Sequence, residues 1–172
     1  MDFVSHALWG GIAFGRRTRK VFLSAAGISI FPDVLTEGLF GVLYVLRIGN
    51  MPGWEQGHPN ITEYPFWAQN FYNFTHSTIV FAMAFLLIWA FARKPVWVIG
   101  AWGLHILIDI PTHSLDLFPT PFLWPFSDYT IDGIGWRNPI VLGVNMVLLL
   151  GAYSVWMLVW QKRRKRAESH KM

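Results

Sequence analysis

Five apolar stretches alternate with polar, proline-rich segments along the 172 residues. Residues 2–15 (DFVSHALWGGIAFG) form a short one. Residues 21–46 are long enough to cross a bilayer, with Pro32 expected to kink the helix. Residues 76–92 and 95–110 fall slightly short of a span, and residues 139–160 make a full one, since about 20 helical residues cross the hydrocarbon core. Pro95 and Pro139 stand at first-turn positions, where a missing N–H costs nothing. Segments 47–75 and 111–138 are rich in Pro, Gly, Asn and aromatics and read as structured loops. Their Trp54, Trp67, Trp124 and Trp136 suit the headgroup level of a bilayer. The pattern predicts an all-α, polytopic membrane helical bundle of four to five membrane helices with two structured outer loops. At its length, the 2–15 stretch can either cross or lie in the interface.

Composition strengthens the membrane reading. The chain is 53% hydrophobic and 14% charged, with 10 Trp and 14 Phe, more apolar surface than a soluble domain of this length can hide. One membrane domain over residues 1–161 is expected, followed by a basic cytoplasmic tail, 162–172. The apolar start carries Asp2 and has its basic cluster after the apolar run, so a cleaved signal peptide is not expected.

Charge then sets an orientation. Arg16, Arg17, Arg19 and Lys20 form one cluster, Arg93 and Lys94 a second, and Lys162, Arg163, Arg164, Lys165, Arg166 and Lys171 a third. If every stretch crosses, all three clusters fall on one side, which the positive-inside rule makes cytoplasmic. The expected setting is the inner (plasma) membrane, with the loops outside. Basic runs beside apolar segments anchor to anionic lipid, so the partner expected is the bilayer and not nucleic acid.

Ionisable residues inside these stretches carry the chemistry. Asp33, Glu37, His105 and Asp109 lie within predicted spans, with His6, His76 and His113 nearby. Each costs a few kcal/mol to bury in lipid unless something compensates it. At about 1.5 Å per residue from the basic anchors, all seven fall roughly 15 to 28 Å up a core about 30 Å thick. They share one layer, in the outer half. His105 and Asp109 are four apart and so face one side of a helix, a two-ligand unit for a small divalent metal. Asp33 and Glu37 repeat that spacing. Pro111 should end the helix and leave His113 on the turn, from which it can fold back over the site. There are no cysteines, and imidazole with carboxylate favours zinc over manganese, iron or magnesium. Bland roles suit the rest. His58 and His170 read as loop and tail residues, Asp116, Asp128 and Asp132 as loop acids, and Asn145 as an interhelical hydrogen-bonding residue. Ser77 and Ser114 each adjoin a histidine but lack a nucleophile elbow.

The strings SHALWGG, FPD, THS and HILIDIPTHS followed by TPFLWPFS, in that order over residues 4–127, resemble the YdjM-like family of inner-membrane, metal-dependent hydrolases. The resemblance implies metal ligation by His6, Asp33, His76, His105 and Asp109, with His113 a further member. Two departures stand out. Leu35 and Thr36 occupy positions where the family often has an acid and a histidine, and Phe71 and Tyr72 stand where it often has His-Arg. Both count against a full second metal site and a phosphate-binding arginine. The expectation is a metal-dependent hydrolase holding one or two ions, most simply zinc. It would act on an ester or phosphoester of an amphiphilic, lipid-like substrate, with His113 or Glu37 carrying protons. The rivals are a metal or proton transporter using the same ligands, and a non-catalytic membrane scaffold.

Overall fold

The computed structural model describes residues 1–53 and 59–169. Trp54, His58 and His170 fall outside them. Every regular element among the described residues is helical. In order these are α1 (Phe3–Phe14), α2 (Arg19–Asp33), a π-helical turn (Val34–Gly38), α3 (Leu39–Val45), a 3₁₀ turn (Ile61–Glu63), α4 (Phe66–Thr75), α5 (Thr78–Ala92), a second 3₁₀ turn (Trp97–Ile99), α6 (Gly100–Thr112) and α7 (Pro139–Ser169). Two continuous helices are long and apolar enough to cross a membrane, Arg19–Val45 and Pro139–Arg164. α4 and α5 make a third if counted together across a 56° bend. α1 has 12 residues, roughly 18 Å of helix, short of the hydrocarbon thickness. The helical bundle is therefore as expected, while four to five full spans are more than the helix lengths establish.

Several boundaries differ from the sequence reading, each for a local reason. Pro32 does not break α2, which runs on to Asp33, and the irregularity follows it as the wide turn Val34–Gly38. The segment 47–75 is not all loop, because α4 occupies its end. Buried Ala68, Tyr72 and Thr75 follow the i, i+4, i+7 spacing of an amphipathic helix. The apolar stretch 76–92 becomes helical only at Thr78, where the Ser77 hydroxyl caps the backbone N–H groups of Ile79 and Val80 at 3.1 and 3.2 Å. Pro95 precedes α6 and its entry turn Trp97–Ile99 instead of starting a helix, whereas Pro139 is the first residue of α7. Pro111 lies inside the last turn of α6.

α1, α2 and α6 pack on one another and form the centre of the bundle. The α1–α2 crossing is close because Gly10 has no side chain. A Cβ there would lie 2.4 Å from the Ser29 Cβ and 2.9 Å from the Ala25 carbonyl oxygen. A polar chain holds α7 to α1. The Trp9 indole donates to Asn145 Oδ1 at 2.8 Å, the Asn145 amide donates to Ser5 Oγ at 2.8 Å, and Ser5 Oγ donates to Asp2 Oδ2 at 2.6 Å. Asn145 thus plays the interhelical part expected of it. Elsewhere α7 presents Val147, Leu150 and Val155 outward, the surface a lipid-facing helix carries.

The two loops pack together at one end of the bundle. Ile61 N–H donates to the Leu117 carbonyl at 3.0 Å, Asn60 to the Leu115 carbonyl at 3.0 Å, and Ser77 Oγ to the Trp124 carbonyl at 2.5 Å. Thr78 Oγ1 donates to the Phe122 carbonyl. Phe40, Ile61, Tyr64, Ala68, Tyr72 and Phe118 close over them as an apolar cluster. Asp132 accepts from Leu115 N–H at an exposed site, a loop role as expected. Arg16 and Arg17 share one cleft with Pro95–Val98, so the first two basic clusters neighbour each other.

Gly10→Ala should separate α1 from α2 and cost about 1–3 kcal/mol by overpacking. Gly27, where a Cβ meets nothing within 4 Å, should accept alanine without loss. Thermal unfolding of both variants in detergent checks the pair, and equal melting temperatures would contradict the close crossing.

Candidate metal centre

Four buried side chains meet where α2, α6 and the α4–α5 break converge: Asp33, His76, His105 and Asp109, each offering one donor atom within 4.8 Å of the others. Asp33 closes α2 and is placed by the turn that follows it. Val34 N–H donates to both the Ile30 and Phe31 carbonyls, and Thr36 Oγ1 donates to the Pro32 carbonyl at 2.9 Å. Such wide turns often mark functional positions in a helix. His105 and Asp109 lie one above the other on α6, as their spacing requires. His76 sits in the bend, after the last residue of α4, where the chain changes direction and can point an imidazole inward.

The spacing within this group decides what it can do. His76 Nε2 is 3.3 Å from Asp33 Oδ1, and His105 Nε2 is 3.4 Å from the same oxygen. His105 Nε2 is also 3.0 Å from Asp109 Oδ2 and 3.2 Å from His76 Nε2. Four ligands at zinc distances of about 2.0–2.1 Å in a tetrahedron would stand roughly 3.3 Å apart. Four of the six donor separations, 3.0 to 3.4 Å, are therefore close to what one ion imposes, all six lie within 4.8 Å, and the group could hold a divalent metal.

Proton positions point the same way. His76 Nδ1 lies 3.1 Å from the Tyr72 carbonyl oxygen, which can only accept, and 2.9 Å from Thr75 Oγ1, whose own proton goes to the Phe71 and Tyr72 carbonyls, so the ring proton is on Nδ1. Its Nε2 lone pair then faces Asp33 and His105. A backbone carbonyl behind a histidine fixes tautomer and orientation in this way at metal sites. Tyr72 also stacks on the His76 ring, with centroids 4.1 Å apart. Asp109 Oδ2, despite its nearness to His105, has no hydrogen bond among the described residues. A buried carboxylate oxygen left so is costly unless a cation serves it.

The remaining expected residues fall around this core. His6, on α1, places Nε2 2.9 Å from Asp109 Oδ1, and its ring lies 3.9 Å from that of His105. His113 leaves α6 in an extended conformation and does fold back, with Nε2 3.3 Å from Asp109 Oδ1. Glu37 is not one of the four donors. It lies in the wide turn, half-buried, and lines both a small gap beside His113 and an apolar groove beside Phe3. The π-helical turn Val34–Gly38 replaces the regular helix between Asp33 and Glu37. Ser77 is occupied in capping and in bonding to Trp124, which leaves it no nucleophilic part.

Two participants had no place in the sequence reading. The α-amine of Met1 contacts Asp109 Oδ1 at 2.5 Å and His113 Nε2 at 2.9 Å. No residue pattern announces a backbone amine. Tyr72 supports His76 through its carbonyl, and its hydroxyl donates to the Phe118 carbonyl at 3.0 Å. Its position four residues before His76 was the available signal.

Asp33→Ala, His76→Ala and His105→Ala should each lower zinc affinity by about 100-fold or more, since even outer-shell partners are worth 10- to 100-fold. Glu37→Gln should leave it within about threefold. Competition against a chelating dye measures all four, and an equal loss in Glu37→Gln would move the centre. No protein-family model, curated protein or solved structure matches this chain, so the reading of the centre rests on its own geometry.

Proposed function

We propose that the chain is a metal-dependent hydrolase of the inner membrane, of the kind its resemblance to the YdjM-like family implies, cleaving an ester or phosphoester of a lipid-like substrate. The observation that carries this reading is the buried set Asp33, His76, His105 and Asp109, with donors spaced for one ion. Zinc is the occupant its nitrogen and oxygen donors suit best. In this reading four to five segments cross or enter the bilayer, the basic clusters and the tail are cytoplasmic, and the centre lies in the outer half.

The surroundings support an amphiphilic substrate. A groove of about 600 Å³, lined by Phe3, Gly38, Gly41, Val42 and Val45, runs along α3 and has Glu37 as its acidic member. An acyl chain lying there would bring its polar end to Glu37 and the gap leading to His113.

Bound at the four donors, a metal ion would polarise the scissile oxygen and acidify water. The chain's own residues divide the rest. The His76–Tyr72 carbonyl bond holds one imidazole in its ligating tautomer. Glu37, at the join of groove and gap, is the group placed to take a proton from water and return it to the leaving oxygen. His113, the other proton carrier expected, has its Nε2 turned inward to Asp109. The apolar walls keep bulk water from the reacting bond.

Metal-loaded protein in detergent should release phosphate or headgroup from phosphomonoester or phosphodiester lipids. Asp109→Ala should abolish turnover. Glu37→Gln should lower kcat about 100-fold or more at unchanged metal content, the scale of a lost proton carrier. Full metal binding with no turnover of any lipid, together with metal uptake into proteoliposomes, would replace the hydrolase with a transporter.

A further inference from the structure

We propose that the basic end of the bundle binds one anionic phospholipid, its phosphate on Arg16 and Arg17 and an acyl chain in the groove between α5 and α6. This site is separate from the metal centre and from the groove along α3, and it goes beyond the hydrolytic reading.

Two cavities meet there. One, of about 550 Å³, is the cleft between the α1–α2 turn and the α5–α6 connection, with Arg16 and Arg17 on one side and Pro95–Val98 on the other. The second, of about 520 Å³, is an apolar groove in which Phe81, Ala82 and Phe85 of α5 face Gly103, Leu104 and Leu107 of α6. Phe14 and Trp97 line both, so the basic cleft opens into the apolar groove.

The sequence of α6 builds the groove. A Cβ at Gly100 would lie 2.5 Å from the Phe14 ring, and one at Gly103 would lie 2.6 Å from the Phe81 ring. Both rings therefore rest directly on the α6 backbone and form an aromatic floor. Gly100, Gly103, Leu104 and Leu107 follow the i, i+3, i+4, i+7 spacing of one helix face. His105 and Asp109 occupy the opposite face, buried toward Asp33. No His, Asp or Glu lines either cavity, so the site holds a ligand without acting on it.

Length and charge select the occupant. From Trp97 to Leu107 the groove follows ten residues, about 15 Å of helix, half of a hydrocarbon core about 30 Å thick. That is the depth of one leaflet, the reach of an acyl chain. A partner helix crossing the bilayer would need twice as much. Trp97 is exposed at the join of cleft and groove, where an indole marks the headgroup level. No acidic residue occurs between Asp2 and Asp33 or between Glu63 and Asp109. The segments that form the cleft thus bring Arg16, Arg17, Arg19, Lys20, Arg93 and Lys94 with no acid of their own. The turn that carries the two arginines is held tightly. A Cβ at Gly15 would lie 2.4 Å from Phe22 Cα, and Thr18 Oγ1 accepts from Val21 N–H at 3.2 Å to start α2. Guanidinium groups take phosphate through paired hydrogen bonds. A zwitterionic headgroup would bring its own ammonium to these cations, which disfavours it.

Native mass spectrometry of the full chain, released from micelles containing phosphatidylglycerol and phosphatidylcholine with identical acyl chains, tests the site. The wild type should retain one phosphatidylglycerol, preferred about tenfold or more, the scale of two cationic contacts. Arg16→Gln/Arg17→Gln should remove the preference. Ala82→Phe, which fills the groove, should lower retention about tenfold, the equivalent of two displaced methylenes. Lys162→Gln/Arg163→Gln takes the same charge from α7 and should change neither result. Phosphatidylglycerol should also raise the melting temperature of the wild type but not of Arg16→Gln/Arg17→Gln. Equal loss in the two charge variants, or equal retention of phosphatidylcholine, overturns the site. So does inorganic phosphate that raises the melting temperature as much as the lipid does, which would make the cleft a phosphate site alone. Metal content should be unchanged in every one of these variants, so failure here leaves the metal centre standing.

Discussion

A single carboxylate, Asp109, is the constraint on which the arrangement turns. It is fully buried, and a carboxylate in an apolar interior is tolerated only with close partners of opposite character. Those partners come from distant parts of the chain: His6 from α1, His105 from its own helix, His113 from the turn after it, and the Met1 amine from the start. Asp33 and His76 join through His105. Helix packing and site assembly are therefore one event. Moving α1 away from α2 or α6 would strand a buried charge as well as open a packing gap.

The rest of the bundle keeps that convergence in register. Gly10 lets α1 approach α2 one turn beyond His6. The chain from Trp9 through Asn145 and Ser5 to Asp2 ties the same helix to α7 on its other face. Interhelical hydrogen bonds of this kind are individually modest in lipid, about 0.6 kcal/mol on average in measured cases. Their value here is directional. They fix the rotation of a short helix that cannot be held by length alone, and rotation decides whether His6 points at Asp109. On the far side, the loop contacts between Ser77 and Trp124 and between Ile61 and Leu117 fix the bend that aims His76.

Much of this was written in local spacing. His105 and Asp109 share a helix face because they are four residues apart, and the proline before His113 implied the turn that brings it back. The meeting of Asp33, His76, His105 and Asp109 was legible because counting along apolar stretches puts them at similar heights. What was hidden depended on backbone irregularity or on tertiary contact. Glu37 lies in the wide turn Val34–Gly38 and outside the four-donor group, and no periodicity reports a π-turn. α4 was read as loop because its polar Asn and Gln residues masked the buried Ala68, Tyr72 and Thr75. The Met1 amine has no side-chain signature. Span number is less legible for a related reason: the apolar stretches include Ser77 and Pro95, and the helices begin after them, at Thr78 and beyond Val96.

Proton counting explains why mutual pairing is not a sufficient account of the buried cluster. The Tyr72 and Phe118 carbonyls hold the protons of His76 and His113 on Nδ1, so both Nε2 atoms face inward as acceptors. Asp33 and Asp109 add carboxylate oxygens. On the first side, the one proton His105 can place on Nε2 faces three acceptors at 3.0 to 3.4 Å: Asp109 Oδ2, His76 Nε2 and Asp33 Oδ1. One hydrogen bond cannot satisfy three. On the other side, Asp109 Oδ1 faces His6 Nε2 at 2.9 Å and His113 Nε2 at 3.3 Å, and the four-donor group contains no lysine or arginine. A divalent cation at the four donors would give Asp33, His76, His105 and Asp109 one common partner, and it would offset carboxylate charge in an interior where unbalanced charge is expensive.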